Sequence, residues 1–370
     1  MQCDYFDAGR CRSCPHMGVP YSDQLAAKDA RVRALLDRPG LHWESPFASP
    51  EAGFRAKAKM VTAGTPTAPT LGILDRDGHG IDLRGCGLLG PAAHAAMPAL
   101  ARFVTEVGLR PYDVPSRTGE LKGIQVVEAS SGDLMVRFVL RSTGQVGKLR
   151  RGLPSLMHEL PTVRVVSVNL LPQHVALPEG EEEIVLTEQD SLPMPVGDVV
   201  LYPQPGAFVQ TNTHVAAGLY RQAGAWVDEA APASVLDLYC GIGGFALHAA
   251  APGRDVTGVE VSEQAVASAR RSAAEADLTV RFEVGDATAH LLEDRPDLVI
   301  VNPPRRGIGP ELATRLEASD VATVVYSSCN PATLAADLDA MPSLRPVRAR
   351  LFDMFPQTDH AEVLTLLRRA

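Results

Sequence analysis

From residue 201 onward, short runs of consecutive apolar residues alternate with longer segments in which apolar positions recur every three to four residues. Residues 235–238, 255–259, 280–284, 298–301 and 323–326 read as buried strands, and 262–276 and 310–318 as helices between them. Residues 348–355 and 361–367 read as a closing strand pair. Strand and helix in alternation predict an α/β domain with a parallel, doubly wound sheet. Before residue 200 the pattern is different. Short alternating strands at 121–128, 134–140, 163–170 and 183–186 are separated by Gly and Pro, with helical pieces at 22–36 and 91–107. A separate, mostly antiparallel β-rich domain is expected there.

The polar loops at the carboxyl ends of the predicted parallel strands carry the candidate chemistry, because ligands of open α/β sheets bind at that edge. The run Asp237-Leu238-Tyr239-Cys240-Gly241-Ile242-Gly243-Gly244-Phe245 takes a buried strand into a glycine-rich turn and a helix over 245–250. Glycines let a backbone approach a ligand closely, and a helix start favours negative charge. Glu260 ends the next strand, where an acid accepts bonds from ribose hydroxyls, and Asp286 follows the third, within reach of an adenine amino group. Nucleotide sites of several kinds share this logic. The glycine pattern decides, since a nicotinamide site prefers its first glycine immediately after the strand. Asp237 to Gly244 resembles the first motif of class I S-adenosylmethionine-dependent methyltransferases, which makes S-adenosylmethionine the expected cofactor. Cys240 reads as structural in this loop.

Cys329 follows the strand 323–326 in Tyr326-Ser327-Ser328-Cys329-Asn330-Pro331. The plain alternative is a small buried apolar residue, but a position after two serines and before an Asn-Pro stop favours an accessible thiol. Upstream, Asn302-Pro303-Pro304 resembles the Asn/Asp-Pro-Pro-aromatic motif of amino-methyltransferases, with Arg305 in place of the aromatic. An amino group attacks a methyl sulfonium with its own lone pair and needs no cysteine. Pyrimidine C5 is different: it becomes nucleophilic only after something adds at C6, and a thiolate both adds and leaves readily. Carbon methylation accounts for Cys329.

At 370 residues, two or three domains are expected. No apolar run approaches the roughly 20 residues of a membrane span, and Met1-Gln2-Cys3-Asp4 lacks the basic and apolar regions of a signal peptide. A cytoplasmic protein with no membrane segment is expected. The net charge of −9 hides a division: residues 1–151 hold 20 Lys and Arg against 15 Asp and Glu, and the remainder 15 against 29. Arg55, Lys57 and Lys59 alternate along a strand-like 54–61, which puts three cations on one face. Phosphate contact and a solvated sheet edge explain them equally well. Lys148, Arg150 and Arg151 form a second basic group, and the acidic turn 180–183 reads as a solvated hairpin. Four of the six cysteines, Cys3, Cys11, Cys14 and Cys86, fall in the basic part. Disulfides do not suit a cytoplasmic protein, and spacing alone leaves a zinc site, an iron-sulfur cluster and buried free thiols open.

Taken in order, five motifs are similar to those of RNA uracil-C5 methyltransferases. They are Phe208-Val209-Gln210-Thr211-Asn212, the cofactor loop, Asn302-Pro303-Pro304-Arg305-Arg306-Gly307, Ser327-Ser328-Cys329-Asn330, and the run from Phe352 through Thr358 to His360 and Glu362. The resemblance covers nearly the whole chain. It implies Cys329 as nucleophile toward uracil C6 and Glu362 as the base that removes the C5 proton, against the alternative of a surface carboxylate at a strand end. It places Gln210, Tyr239, Glu260 and Asn302 at the methyl donor, beside Gly241 and Asp286; several relatives carry Asp where this chain has Asn302. Arg305 and Arg306 become contacts for phosphate or the uracil carbonyl, or else partners of nearby acids. The spacing Cys-x-Tyr-Phe-x-x-Gly-x-Cys-x-Ser-Cys is similar to the family's cluster-binding start, which implies a [4Fe-4S] cluster on Cys3, Cys11, Cys14 and Cys86 with a structural or RNA-organising role. Three regions follow: an iron-sulfur region at 1–90, a β-rich RNA-contacting region at 91–200 and the class I methyltransferase domain at 201–370. Because the chain begins at the cysteine motif, the branch acting on uridine 747 of 23S ribosomal RNA is expected, as a monomer without a stable protein partner.

Overall fold

The computed structural model describes the backbone of residues 1–370 and every side chain except those of residues 291–294. Chain packing gives two compact units rather than three consecutive regions. Met1–Met17, Glu51–Leu192 and Gln204–Gly206 form the first, and Gly18–Pro50, Pro193–Pro203 and Ala207–Ala370 the second. Residue 90 is therefore no boundary. Residues 18–50, expected to lie with the cysteines, belong to the second unit because Val32 and Leu36 of the helix Tyr21–Leu36 pack into its core beside Leu312, Leu334 and Leu338.

The first unit is built on a seven-stranded sheet in the order Gly80–Asp82, Ala68–Leu74, Lys57–Thr65, Leu121–Glu128, Leu134–Leu140, Val163–Leu170, Glu182–Val185. All neighbours are antiparallel except Leu134–Leu140 and Val163–Leu170, whose crossover is the helix Val146–Glu159, as a parallel pair requires. The strand Lys57–Thr65 lies inside the sheet, so its cations do not guard an edge. Lys59 pairs with Glu179 at 3.0 Å, and burial first, then Lys59 beside it, lowers the Lys57 ammonium to about 8. In the acidic turn Glu181 and Glu182 are exposed, as a solvated hairpin requires, whereas Glu183 pairs with the buried Arg137 and accepts from Asn169 at 3.0 Å. Cys3, Cys14 and Cys86 gather in one apolar cluster with Met1, Phe6, Met17, Phe54 and Leu88.

The second unit holds an eight-stranded sheet in the order His42–Trp43, Leu344–Phe352, Glu362–Arg369, Thr323–Ser328, Leu298–Val301, Ser234–Leu238, Asp255–Glu260, Arg281–Val284. The last five are parallel, and Glu362–Arg369 runs antiparallel to both its neighbours. Strand order reverses between Ser234–Leu238 and Leu298–Val301, which opens a crevice at their carboxyl ends. Side chains fix where the following helices start: Asn212, Ser262 and Asn330 each accept a backbone N–H as N-caps. The helix Tyr21–Leu36 also braces the segment leading to Glu362. Lys28 Nζ lies 2.6 Å from Asp353 and 3.1 Å from the Phe355 carbonyl, Tyr21 donates to Asp353 at 2.8 Å, and Gln24 bonds Gln357 at 2.9 Å. Among the described residues, no helix is long and apolar enough to cross a membrane.

Candidate active site

The crevice is shaped by a run of left-handed backbone. Tyr239 has φ +63°, followed by Gly241 at +55° and Gly243 at +89°, and a bulky residue holds such a φ only where its surroundings enforce it. Asp237 supplies part of that enforcement. It is wholly buried, its Oδ2 accepts from the Ala246 N–H at 2.9 Å, and burial, assisted by Glu260, pushes its carboxyl up to about 8. Glu260 closes the turn from the neighbouring strand, accepting from the Gly241 N–H at 3.2 Å and the Ser262 N–H at 3.1 Å. Gly244 has no room for a side chain, since a Cβ there would stand 2.5 Å from the Tyr220 ring.

Gln210, Tyr239, Gly241 and Asn302 line one cavity at this turn, with Phe208 and Tyr220. A glycine backbone, a carboxylate bonded to it and an aromatic wall suit a nucleoside that carries a cationic chain. Glu260 touches this cavity through Gly241. Asp286 is absent from this lining, but its charge acts on Tyr239 within it, and its Oδ1 caps the helix Ala287–Asp294 through the Thr288 and Ala289 N–H groups.

The strand Thr323–Ser328 delivers Cys329, half-buried, to a second cavity of about 340 Å³, within the roughly 300–1,000 Å³ of small-molecule sites. Arg305 and His360 line it, joined by Arg31 and Leu35 of the helix Tyr21–Leu36. Burial and the charge of Glu362 raise the Cys329 thiol, against which the Arg305 guanidinium acts. Arg305 lies 3.5 Å from His360 Nδ1, and neither it nor Arg306 forms an ion pair among the described residues.

Glu362 is no surface carboxylate, being only 2% exposed. Its strand pairs Val363 with Ser328, so Glu362 comes to lie beside the end of the strand that carries Cys329. Its Oε1 accepts a short bond from the Ser327 hydroxyl and a longer one, 3.4 Å, from Asn302 Nδ2. Burial pushes the carboxyl up to about 7, with those two bonds acting the other way. Asn302 thus belongs both to the cofactor cavity and to the acid.

Comparison with known proteins accords with this geometry. Two family descriptions match, "Methyltransferase small domain" over residues 199–317 and "tRNA (Uracil-5-)-methyltransferase" over 288–370. The 23S rRNA (uracil(747)-C(5))-methyltransferase RlmC of Escherichia coli (strain K12) is 46% identical over 372 residues, which cover 99% of each chain. Its counterpart in Shigella sonnei (strain Ss046) matches to the same extent. The chain belongs to the RNA uracil-C5 methyltransferases. The fold agrees with a member of known structure, the tRNA (uracil-54, C5)-methyltransferase of Pyrococcus abyssi in complex with S-adenosyl-L-homocysteine. That structure aligns at a TM-score of 0.80 and 25% identity, over 96% of this chain and 85% of the other.

For a uracil-C5 methyltransferase that depends on S-adenosylmethionine, the structure brings Gln210, Tyr239, Gly241, Glu260 and Asn302 to one crevice and Cys329 and Glu362 to the next strand end. The sequence alone assigned no role to three contributors. Ser327 had a signal, a serine closing an apolar strand; Asp237 had one in its charge within a buried strand. Tyr220 had none, being one aromatic on the helix Thr213–Ala230.

Proposed function

We propose that this enzyme is cytoplasmic and methylates C5 of uridine 747 in 23S ribosomal RNA. The observation that carries the target is the 46% identity maintained across 99% of the chain to proteins named for that nucleotide. S-adenosylmethionine, bound at the glycine turn, supplies an electrophilic methyl group. The Cys329 thiolate adds to uracil C6, forming an S–C bond and placing the electron pair on C5 and the adjoining carbonyl. C5 takes the methyl group, and the bond from methyl to donor sulfur breaks. Glu362 then removes the proton left on C5. That electron pair restores the C5–C6 double bond and expels the thiolate, so Cys329 is regenerated. The base must leave its stack to reach Cys329, at a cost of a few kcal/mol. The test is to incubate the protein with unmodified 23S and transfer RNA and labelled methyl donor and map the product: 5-methyluridine at 747 is expected, and label on transfer RNA alone overturns the target.

We further infer that Cys3, Cys11, Cys14 and Cys86 hold a [4Fe-4S] cluster with a structural or RNA-organising role, because the transfer consumes no electron. Burial first, then Cys86, Cys11 and Cys3, pushes the Cys14 thiol up to about 11, so the four thiols share one neighbourhood. The likeness of the run from Cys3 to Cys14 to the family's cluster-binding start favours the cluster over a single zinc. Anaerobically purified protein should contain about four irons and four sulfides per chain, lost in Cys14→Ser; one zinc per chain rejects the assignment.

A further inference from the structure

The first unit separates its charges. Its acidic turn takes up Lys59 and Arg137 through Glu179 and Glu183, yet Arg110, Arg117, Lys122, Lys148, Arg150 and Arg151 form no ion pair among the described residues. They lie on two segments that meet through Lys148. The helix Val146–Glu159 presents Lys148, Arg150 and Arg151 in its first two turns and has no acid before Glu159. Val146, Leu149 and Leu156 anchor its opposite face, and Lys148 Nζ donates to the Gly108 carbonyl at 3.0 Å. That contact docks the helix on the 108–120 connection. There Arg110 donates to Thr118 at 3.4 Å, while Arg117 stands at φ +57° and its carbonyl accepts from Arg141 at 3.2 Å. Lys122 follows, its ammonium lowered by burial and by the charge of Arg141.

Acids are few here and mostly engaged. Glu120 is held by Arg141 and Ser142, and Asp113 by Ser116, leaving Glu106 at the end of the helix Pro91–Glu106. Arg110, Lys122 and Lys148 are secured by carbonyls and a hydroxyl, which fix position without cancelling charge. Like charges gathered this way repel, and a polyanion recovers that energy. No large apolar side chain is exposed at 106–122 or 141–159, so the apolar centre of a protein interface is missing. Arginine predominates, and its fork fits phosphate.

We propose that this surface, formed by the 108–122 connection and the first two turns of the helix Val146–Glu159, binds phosphates of the substrate RNA outside the target nucleotide. It rests on the proposed RNA substrate but not on the chemistry at Cys329. The test measures an unmodified 23S ribosomal RNA fragment containing uridine 747 against wild type and the triple variant Lys148→Gln, Arg150→Gln, Arg151→Gln. The Kd at about 0.1 M salt should rise at least about tenfold, and the slope of log Kd against log salt should fall by about 2, as expected for losing two or three phosphate contacts. S-adenosylmethionine affinity and kcat at saturating RNA should be unchanged. Arg110→Gln with Arg117→Gln, on a different element, should act in the same direction, which a folding defect of the helix does not explain. Wild-type Kd and salt slope in both variants overturn the surface, as does weaker binding with an unaltered slope. Failure of wild type to form 5-methyluridine instead counts against the proposed reaction and leaves the binding comparison to judge the surface.

Discussion

Cys329→Ala should abolish methyl transfer to RNA, by at least about 10⁴-fold, the scale on which enzymes lose rate with their nucleophile. The argument is chemical before it is structural. Uracil C5 carries no electron pair free to attack a methyl group until C6 is occupied, so no partial route survives removal of the sulfur. Cys329→Ser should fare little better, because a hydroxyl ionises far less readily than even this raised thiol. Affinity for S-adenosylmethionine should not move, since Cys329 is absent from the lining of the cofactor cavity. Fold should not move either, because truncating a half-buried side chain at a strand end falls among changes worth about 0.5–1 kcal/mol. Measured together, single-turnover methyl transfer and donor binding separate this outcome from an enzyme that methylates an exocyclic amine. That enzyme keeps its rate in Cys329→Ala, and such a result ends the carbon-methylation reading.

What the sequence revealed depends on the range of the interactions that build each part. Leu298–Val301 forms where its short apolar run predicts, and Leu121–Glu128, Leu134–Leu140 and Val163–Leu170 where their alternating patterns do, because short β-branched segments bounded by turn residues are specified locally. The helix Val146–Glu159 was not read from its pattern: Gly147, Gly152 and Pro154 look like breakers, and burial of Val146, Leu149 and Leu156 under the parallel crossover outweighs them. Asn330-Pro331 marked the end of a strand but equally starts the helix Pro331–Asp339, with Asn330 as cap and Pro331 in its first turn. Local pattern also says nothing of where residues 18–50 go. Lys28 reaches Asp353 and Gln24 reaches Gln357 across more than 300 positions, and such partners exist only once the chain has folded. The site divides in the same way. Its motifs are local and legible, whereas the burial of Glu362 is made by Ser327 and Asn302, which arrive on two other strands.

That burial gives Glu362→Gln a distinctive expected result: turnover lost by about 10²–10⁴-fold, with the RNA left covalently attached to Cys329 and already methylated. Addition of the thiolate and transfer of the methyl need no base at C5, so both proceed in the variant. Elimination needs the C5 proton removed, and an amide does not take it. A protein–RNA complex that survives denaturation and carries label from the methyl donor should therefore accumulate to near one equivalent. The pH dependence follows with a definite sign. With its carboxyl pushed up to about 7, Glu362 in the wild type holds a proton below that pH and cannot act as base, so product release should fall about tenfold per unit as pH drops below 7 and level off above it. The raised Cys329 thiol makes adduct formation also favour high pH, but single-turnover methyl transfer reads that step alone, whereas decay of the adduct reads Glu362. Ser327→Ala supplies the discriminating control. The Ser327 hydroxyl bonds the carboxylate and holds its pKa down, so without it the midpoint for adduct decay should move to higher pH while the midpoint for methyl transfer does not rise, because a Glu362 that stays neutral longer raises the thiol less. A Glu362→Gln enzyme that releases its methylated RNA at the wild-type rate shows that another group takes the proton, and reduces Glu362 to a buried acid that merely raises the thiol beside it.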